Sequence, residues 1–225
     1  MKRLQVPVYA GLLVATLAAP SFAADLPRPS YKAPVYSAPA FSWSGYYVGI
    51  NAGYGFGKSR WTDTTFGGTT GDFNVKGAVV GATLGYNIQT GVWVYGIEGD
   101  IGVSTIKGTD NTICGALGCE TKNTWLGTAR GRLGYSFDRW LPYLTAGAAF
   151  GDIKGSNGTG SVTKTQIGWT AGAGVEYAFL GSWSAKLEYL YADLGKATCS
   201  ASSCGSDLEV KFKTNLVRVG VNYRF

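Results

Sequence analysis

The last ten residues, Leu216 to Phe225, read LVRVGVNYRF. Val217, Val219, Val221, Tyr223 and Phe225 fall on one face of an extended chain, and Arg218, Gly220, Asn222 and Arg224 fall on the other. That period of two marks a β-strand. In a soluble sandwich the apolar face would turn to a core, yet the opposite face carries two arginines and the sequence offers no layer of helices to cover it. A barrel wall resolves the conflict, apolar towards lipid and polar towards a lumen. Such a wall needs more strands of the same kind, no open edge, and a route out of the cytoplasm.

The route is at the start of the chain. Residues 1–23 begin with Lys2 and Arg3, continue in an apolar run from Val8 to Ala19, and end Pro20-Ser21-Phe22-Ala23. This is the pattern of a secretory signal peptide cleaved after Ala23. The run is too short to cross about 30 Å of hydrocarbon as a helix. Residues 24–44 contain Pro27, Pro29, Pro34 and Pro39. Proline cannot donate to a ladder, so this stretch reads as an extended, solvated linker.

From residue 45 onward the alternation recurs. Tyr46, Val48, Ile50, Ala52, Tyr54 and Phe56 share a face in the first strand, 45–56, and Ala78, Val80, Ala82, Leu84, Tyr86 and Ile88 in the second, about 76–88. Further strands are expected at about 93–103, 123–137, 141–152, 165–179 and 183–192, and the terminal strand makes eight. The connections alternate between long and short, as in an antiparallel up-and-down barrel, closed because lipid tolerates no open edge. The fold expected is therefore all-β, an eight-stranded antiparallel up-and-down transmembrane β-barrel over 45–225. With an even strand number both termini lie at the short-turn side, the periplasm, and the long loops face outside. Tyr86, Trp93, Phe137, Phe179, Trp183, Tyr223 and Phe225 gather beside the short turns, and Phe56, Trp125, Phe150 and Trp169 at the opposite ends. Aromatics collect in this way at both membrane interfaces.

Strand parity directs Glu98, Asp100, Glu176 and Glu188 into the lumen together with Arg130, Arg132, Lys186 and Arg218. An eight-stranded barrel is only wide enough for side chains to fill it. These groups are expected to pair as a polar core rather than to line a selectivity constriction or proton path. Cys114 and Cys119 (CGALGC) lie in the second long loop, and Cys199 and Cys204 (CSASSC) in the fourth. In an exported chain such pairs argue for disulfides. Local pairing would stabilise each loop tip by about 2 kcal/mol, and cross-loop pairing is open. A four-thiolate zinc site lacks the usual close spacing. Parity carried to the outer rim turns Lys58, Lys76, Lys107, Lys154, Lys211 and Lys213 away from the lumen, towards lipopolysaccharide phosphates.

The formal net charge is +6 with no basic block, so nucleic acid is not an expected partner. There is no His, which excludes His-dependent catalysis. The stretch GYGFGKS at 53–59 lacks the first glycine of a phosphate loop and any strand-to-helix context. Neither an enzyme nor a cofactor is expected.

Four segments together resemble the small outer-membrane barrels of alpha-proteobacteria, the OmpA-like "porin family" surface antigens. They are AADLP at 23–27, FSWSGYYVGINAGYGFG from Phe41, AKLEYLYADLG from Ala185, and VRVGVNYRF at the end. The resemblance implies an eight-stranded barrel whose terminal aromatics, Tyr223 and Phe225, are read by the barrel-assembly machinery. It also implies, from some relatives, attachment of the amino terminus at Ala24 and Asp25 to peptidoglycan. Three functions fit: a structural surface barrel that supports the envelope, expected as a monomer; a narrow diffusion channel, as the family's label implies; and a receptor, for example for haem. With no His, and no Met after Met1, an axial haem ligand would have to be Tyr or Cys. The charge-balanced lumen favours the structural barrel.

Overall fold

The computed structural model describes residues 41–63, 67–110, 119–156, 161–199 and 208–225. They form ten strands: β1 Gly45–Asp63, β2 Thr69–Thr90, β3 Trp93–Ser104, β4 Lys107–Asp110, β5 Cys119–Lys122, β6 Trp125–Tyr135, β7 Trp140–Ser156, β8 Ser161–Leu180, β9 Trp183–Cys199 and β10 Leu208–Arg224. Every neighbouring pair is antiparallel, and β1 pairs with both β2 and β10, so the sheet closes on itself. β3 and β4 are two parts of one stave, and so are β5 and β6. The ring therefore has the eight staves expected.

The two interruptions, at Thr105–Ile106 and Asn123–Thr124, lie side by side. They mark places where the register slips by one residue between staves, as at a β-bulge. Asp152 fills the notch between β5, β6 and β7. Its carboxylate accepts from the Thr124 and Trp125 amides (2.7 and 3.1 Å) and from the Thr124 hydroxyl (2.5 Å). It thereby satisfies donors that the ladder has released.

At one end of the ring the staves join through two-residue turns. The first residue of each turn is left-handed: Gly91 at φ 62°, Asp138 at 55° and Gly181 at 49°. Tight hairpins between twisted strands need this geometry, which Gly adopts freely and Asp tolerates. Above these turns the outer wall is bare and apolar, with Ile50 and Ile97 about 70% exposed. A contiguous surface of this kind marks a protein solvated by something other than water. Ring pairs circle its lower edge, Tyr46 with Tyr86, Trp93 with Tyr135, Trp140 with Tyr177 and Trp183 with Tyr223, at centroid separations of 4.5–5.4 Å.

The strands run further towards the long-loop end than the apolar pattern suggested. β1 continues to Asp63 instead of ending at Phe56, β2 begins at Thr69 instead of Lys76, and β7 and β8 take in Gly155, Ser156 and Ser161 of the Gly-rich stretch. The cause is an inversion of the alternation. In β2 the outward residues near the turns are Leu84, Ala82 and Val80, but further up they are Lys76, Asn74 and Asp72. The inward residues change the opposite way, from Asn87 and Thr83 to Val79, Val75 and Phe73. β10 does the same, with Val210, Phe212 and Leu216 inward. The upper barrel is thus an ordinary water-facing β-structure, with a core built around Trp61, Phe73, Ile106, Leu126, Leu194 and Phe212.

A second departure lies below the ring. Residues 41–44, expected as solvated linker, turn into the short-turn end instead. Trp43 is 1% exposed and packs with Val94, Leu141 and Ala178. Its amide donates to Gln89 Oε1 (2.7 Å) and its indole N–H to the Asp138 carbonyl (3.1 Å). Phe41 sits edge-on to it, with the Arg224 guanidinium 4.3 Å from the Phe41 ring centre. A large indole with its polar handle satisfied gains more by filling this mouth than by staying in water. Trp43→Ala should therefore lower the unfolding free energy of the refolded barrel by about 3–5 kcal/mol. A urea titration checks this, and a midpoint equal to wild type would show that the segment merely rests on the barrel.

Candidate functional site

Between the two apolar layers the lumen holds its charges. Residues from β3, β6, β8, β9 and β10 project inward at neighbouring heights because each strand contributes every second side chain. Arg130 is the hub: it pairs with Glu98, with Asp100 at 2.9 Å and with Glu188 at 2.8 Å. Arg218 closes a second link, to Asp100 at 2.8 Å and Glu188 at 2.5 Å. Arg132 pairs with Glu176 and lies 3.9 Å from Glu98, which Lys186 reaches at 3.0 Å. All eight groups assigned to the lumen thus form one network of four acids and four bases.

Several partners of this network carry no charge and were not singled out from the sequence. The Tyr47 hydroxyl donates to Glu98 (2.8 Å) and the Tyr143 hydroxyl to Glu188 (3.1 Å). Thr128 donates to Asp100 (2.5 Å), and Ser184 and Asn222 to Glu176 (2.5 and 2.8 Å). The Arg132 guanidinium lies 3.7 Å from the centre of the Tyr143 ring, a cation–π contact. Both tyrosines fall on inward parity, which is the signal that finds them. Glycines make room for their rings: a Cβ at Gly85 would lie 2.2 Å from Tyr47, and one at Gly174 would lie 2.6 Å from Tyr143.

Arg130, Arg132, Arg218, Glu98 and Glu188 are all buried. The lumen therefore reads, from the turns upward, as an apolar plug on Trp43, a charge-neutral polar layer, and a larger apolar core. Among the described residues no group of three or more His, Cys, Asp or Glu is arranged to hold a metal. The outer wall carries concave surfaces, among them the apolar groove between Tyr46, Leu84, Tyr86 and Ile97. Hydrocarbon chains fit such a groove better than a polar solute.

The six lysines assigned to the rim lie on the outward face of the loop end. There the structure forms two different groups. On β1 and β10, Lys58 stands directly opposite Lys213 and Arg60 opposite Lys211, and acids accompany them. Asp72 accepts from Arg60 at 2.7 Å, Asp193 lies 3.4 Å from Lys213, and Glu209 lies 2.9 Å from Lys196 and 3.8 Å from Lys211. The Arg60 hydrogen bond holds the Asp72 carboxyl below its usual range. The second group, Lys76, Lys107 and Lys154, is joined by Lys122, which the sequence reading passed over. Tyr223 and Phe225 lie on the outer face at the turn end, with the Phe225 amide donating to the Tyr46 carbonyl at 3.0 Å. Ala24, Asp25, Cys114 and Cys204 lie outside the described residues, as do the side chains of Cys119 and Cys199.

Removing one member of a buried ion pair strands the other. Arg132→Met should cost about 3–5 kcal/mol of stability by this mechanism. Arg132→Met combined with Glu176→Gln should recover more than half of that loss, because the amide still accepts from Ser184 and Asn222. Urea unfolding of the four proteins in a double-mutant cycle decides it, and simple additivity would mean that the pair carries no coupling.

Residues 10–225 match the family profile described as "Outer membrane protein beta-barrel domain". The chain is 35% identical over 227 residues to the 25 kDa outer-membrane immunogenic protein of Brucella abortus, covering all of both chains. It is 39% identical over 237 residues to the 31 kDa outer-membrane immunogenic protein of Brucella melitensis, covering 95% of this chain and 97% of that one. The crystal structure of Neisserial surface protein A superposes with a TM-score of 0.47 at 17% identity, over 81% of this chain and 98% of that one. The closed ring, its bare apolar wall and the full-length relatives agree: this chain belongs to the outer membrane β-barrel protein family.

Proposed function

We propose that the protein is a structural barrel of the outer-membrane surface that supports the envelope without conducting solutes. One observation carries this reading: the lumen is filled along its length by two apolar layers and a charge-neutral network between them. A pore needs inward polar groups that face water, and here Glu98, Asp100, Glu176 and Glu188 each have a cationic partner within the ring. A haem site would draw on Tyr or Cys, and the lumen tyrosines Tyr47 and Tyr143 are both committed to carboxylates.

In this proposal the short turns face the periplasm and the loop end faces outward. The described chain then begins at the periplasmic mouth with Phe41, and Ala24 and Asp25, earlier in the sequence, attach to peptidoglycan. The buried Trp43 supports this reading, because it fixes the start of the described chain to the barrel. The exposed ring of Phe225 is offered to the assembly machinery on the same side. The barrel acts as a monomer.

Planar-bilayer recording of refolded protein should show no steady conductance. Ion-selective conductance in the wild type would place the diffusion channel first. For the tether, muramidase digestion of purified sacculi should release a muropeptide joined to Ala24, seen by mass spectrometry, and Ala24→Pro with Asp25→Pro should abolish it. Sacculi free of the protein after detergent washing would remove the tether from the proposal while leaving the sealed barrel intact.

A further inference from the structure

Lys76, Lys107, Lys122 and Lys154 occupy four successive staves, on β2, β4, β5 and β7. Their register is unusual. Lys76 pairs directly with Lys107, Lys107 with Lys122, and Lys122 with Lys154. All four are exposed. Like charges directly opposite one another destabilise a sheet, so three consecutive Lys–Lys pairs form an arrangement that folding alone disfavours.

On the other side of the same barrel the chain handles this problem differently. The ion pairs at the loop end among the described residues join Lys58, Arg60, Lys196, Lys211 and Lys213 to Asp72, Asp193 and Glu209. None of the four ladder lysines takes part in one. The nearest acids on their strands are Glu120, two residues further up β5 opposite Thr109 and Ser156, and Asp152, two residues below Lys154 and committed to the Thr124 and Trp125 amides.

Height identifies what supplies the missing negative charge. The outermost large apolar side chains on these staves are Val80, Val103, Trp125 and Phe150, three or four residues below the lysines. At roughly 3.3 Å per residue and a tilt near 40°, the ladder stands about 10 Å above the apolar wall. That is headgroup depth. With staves about 4.8 Å apart, the row spans the width of a disaccharide carrying a phosphate at each end.

We infer that Lys76, Lys107, Lys122 and Lys154 form a binding site for the phosphates of the glycolipid that makes up the outer leaflet. The acyl chains lie against the apolar wall below, and the sugar phosphates bridge adjacent lysines and cancel their mutual repulsion. The inference rests on the proposed orientation, in which the loop end meets the outer leaflet, but not on whether the lumen conducts.

The test uses the full-length protein refolded in a zwitterionic detergent. Native mass spectrometry titrates it with bisphosphorylated lipid A, with the same lipid stripped of phosphate, and with inorganic phosphate. Wild type should retain the bisphosphorylated lipid and neither of the others. With a contribution of roughly five-fold per lysine, K107Q/K122Q should weaken retention about thirty-fold, while K58Q/K213Q changes it less than about three-fold. Heat-modifiable gel mobility confirms that both variants are folded. Three results would overturn the inference: equal retention of the dephosphorylated lipid, unchanged retention by K107Q/K122Q, or an equal loss in K58Q/K213Q, which would mean diffuse net charge. Displacement of the lipid by millimolar inorganic phosphate would overturn the lipid assignment. Because the assay is done in detergent, its failure is separable from a conducting lumen or an inverted orientation.

Discussion

The bore of an eight-stave ring admits side chains and little else, and that width makes the lumen a problem of mutual satisfaction. A charge buried there cannot keep its water, so it must find its counter-charge on another stave. Arg130 shows how tightly this binds the sequence. Its guanidinium faces acids from β3 and β9 at once, and those acids face Arg218 and Lys186 from β10 and β9 in turn. No member can be exchanged alone. The tyrosines and hydroxyls that complete the carboxylate shells do the same work without adding charge, and glycines beneath Tyr47 and Tyr143 supply the space. In a ring packed in this way, closure of the sheet and satisfaction of its buried charges follow from one geometry.

Two solvents meet along each stave. Near the turns the wall faces hydrocarbon, so apolar side chains point outward and polar ones inward. Beyond Lys76 on β2 and Asn215 on β10 the surroundings become aqueous, and the same backbone parity carries the opposite pattern. The upper core around Trp61 and Phe212 exists because water, unlike lipid, drives apolar surface inward. The register slips at Thr105–Ile106 and Asn123–Thr124 fall close to this boundary, where Asp152 repairs the ladder. The barrel is therefore a membrane segment and a soluble β-structure in series, sharing their strands.

Most of the lower barrel was legible in the sequence, because a lipid-facing strand announces itself by apolar residues at every second position. Parity then placed all eight lumen charges without any knowledge of their partners. What was harder to read has physical causes. The strand extensions past Phe56 and before Lys76 have polar outward faces, which resemble loops when one looks only for an apolar stripe, although Phe73, Val75 and Val79 keep the period of two. Trp43 sits next to a proline-rich stretch, and its burial depends on a pocket made by Val94, Leu141 and Ala178 on three different staves. Asp152 looked like a strand end because its role arises from a register slip in the neighbouring stave. Lys122 lies at the end of a four-residue strand beyond the apolar pattern, where parity alone cannot be followed.

Charge placement separates the inside of this protein from its outside. The lumen holds four acids and four bases, so it contributes nothing to the formal net charge of +6. The excess belongs to the rest of the chain, and at the loop end it stands on the outer face of consecutive staves. Buried charges must be balanced within the protein because no solvent reaches them, whereas exposed ones can be balanced by whatever lies alongside. An exposed Lys–Lys register costs little where counter-ions or anionic headgroups are abundant, and that tolerance ends where the surroundings turn apolar. The change from fully paired charges within the ring to a mixture of paired charges and a Lys–Lys ladder outside thus follows the change from an enclosed, low-dielectric bore to an ion-rich surface.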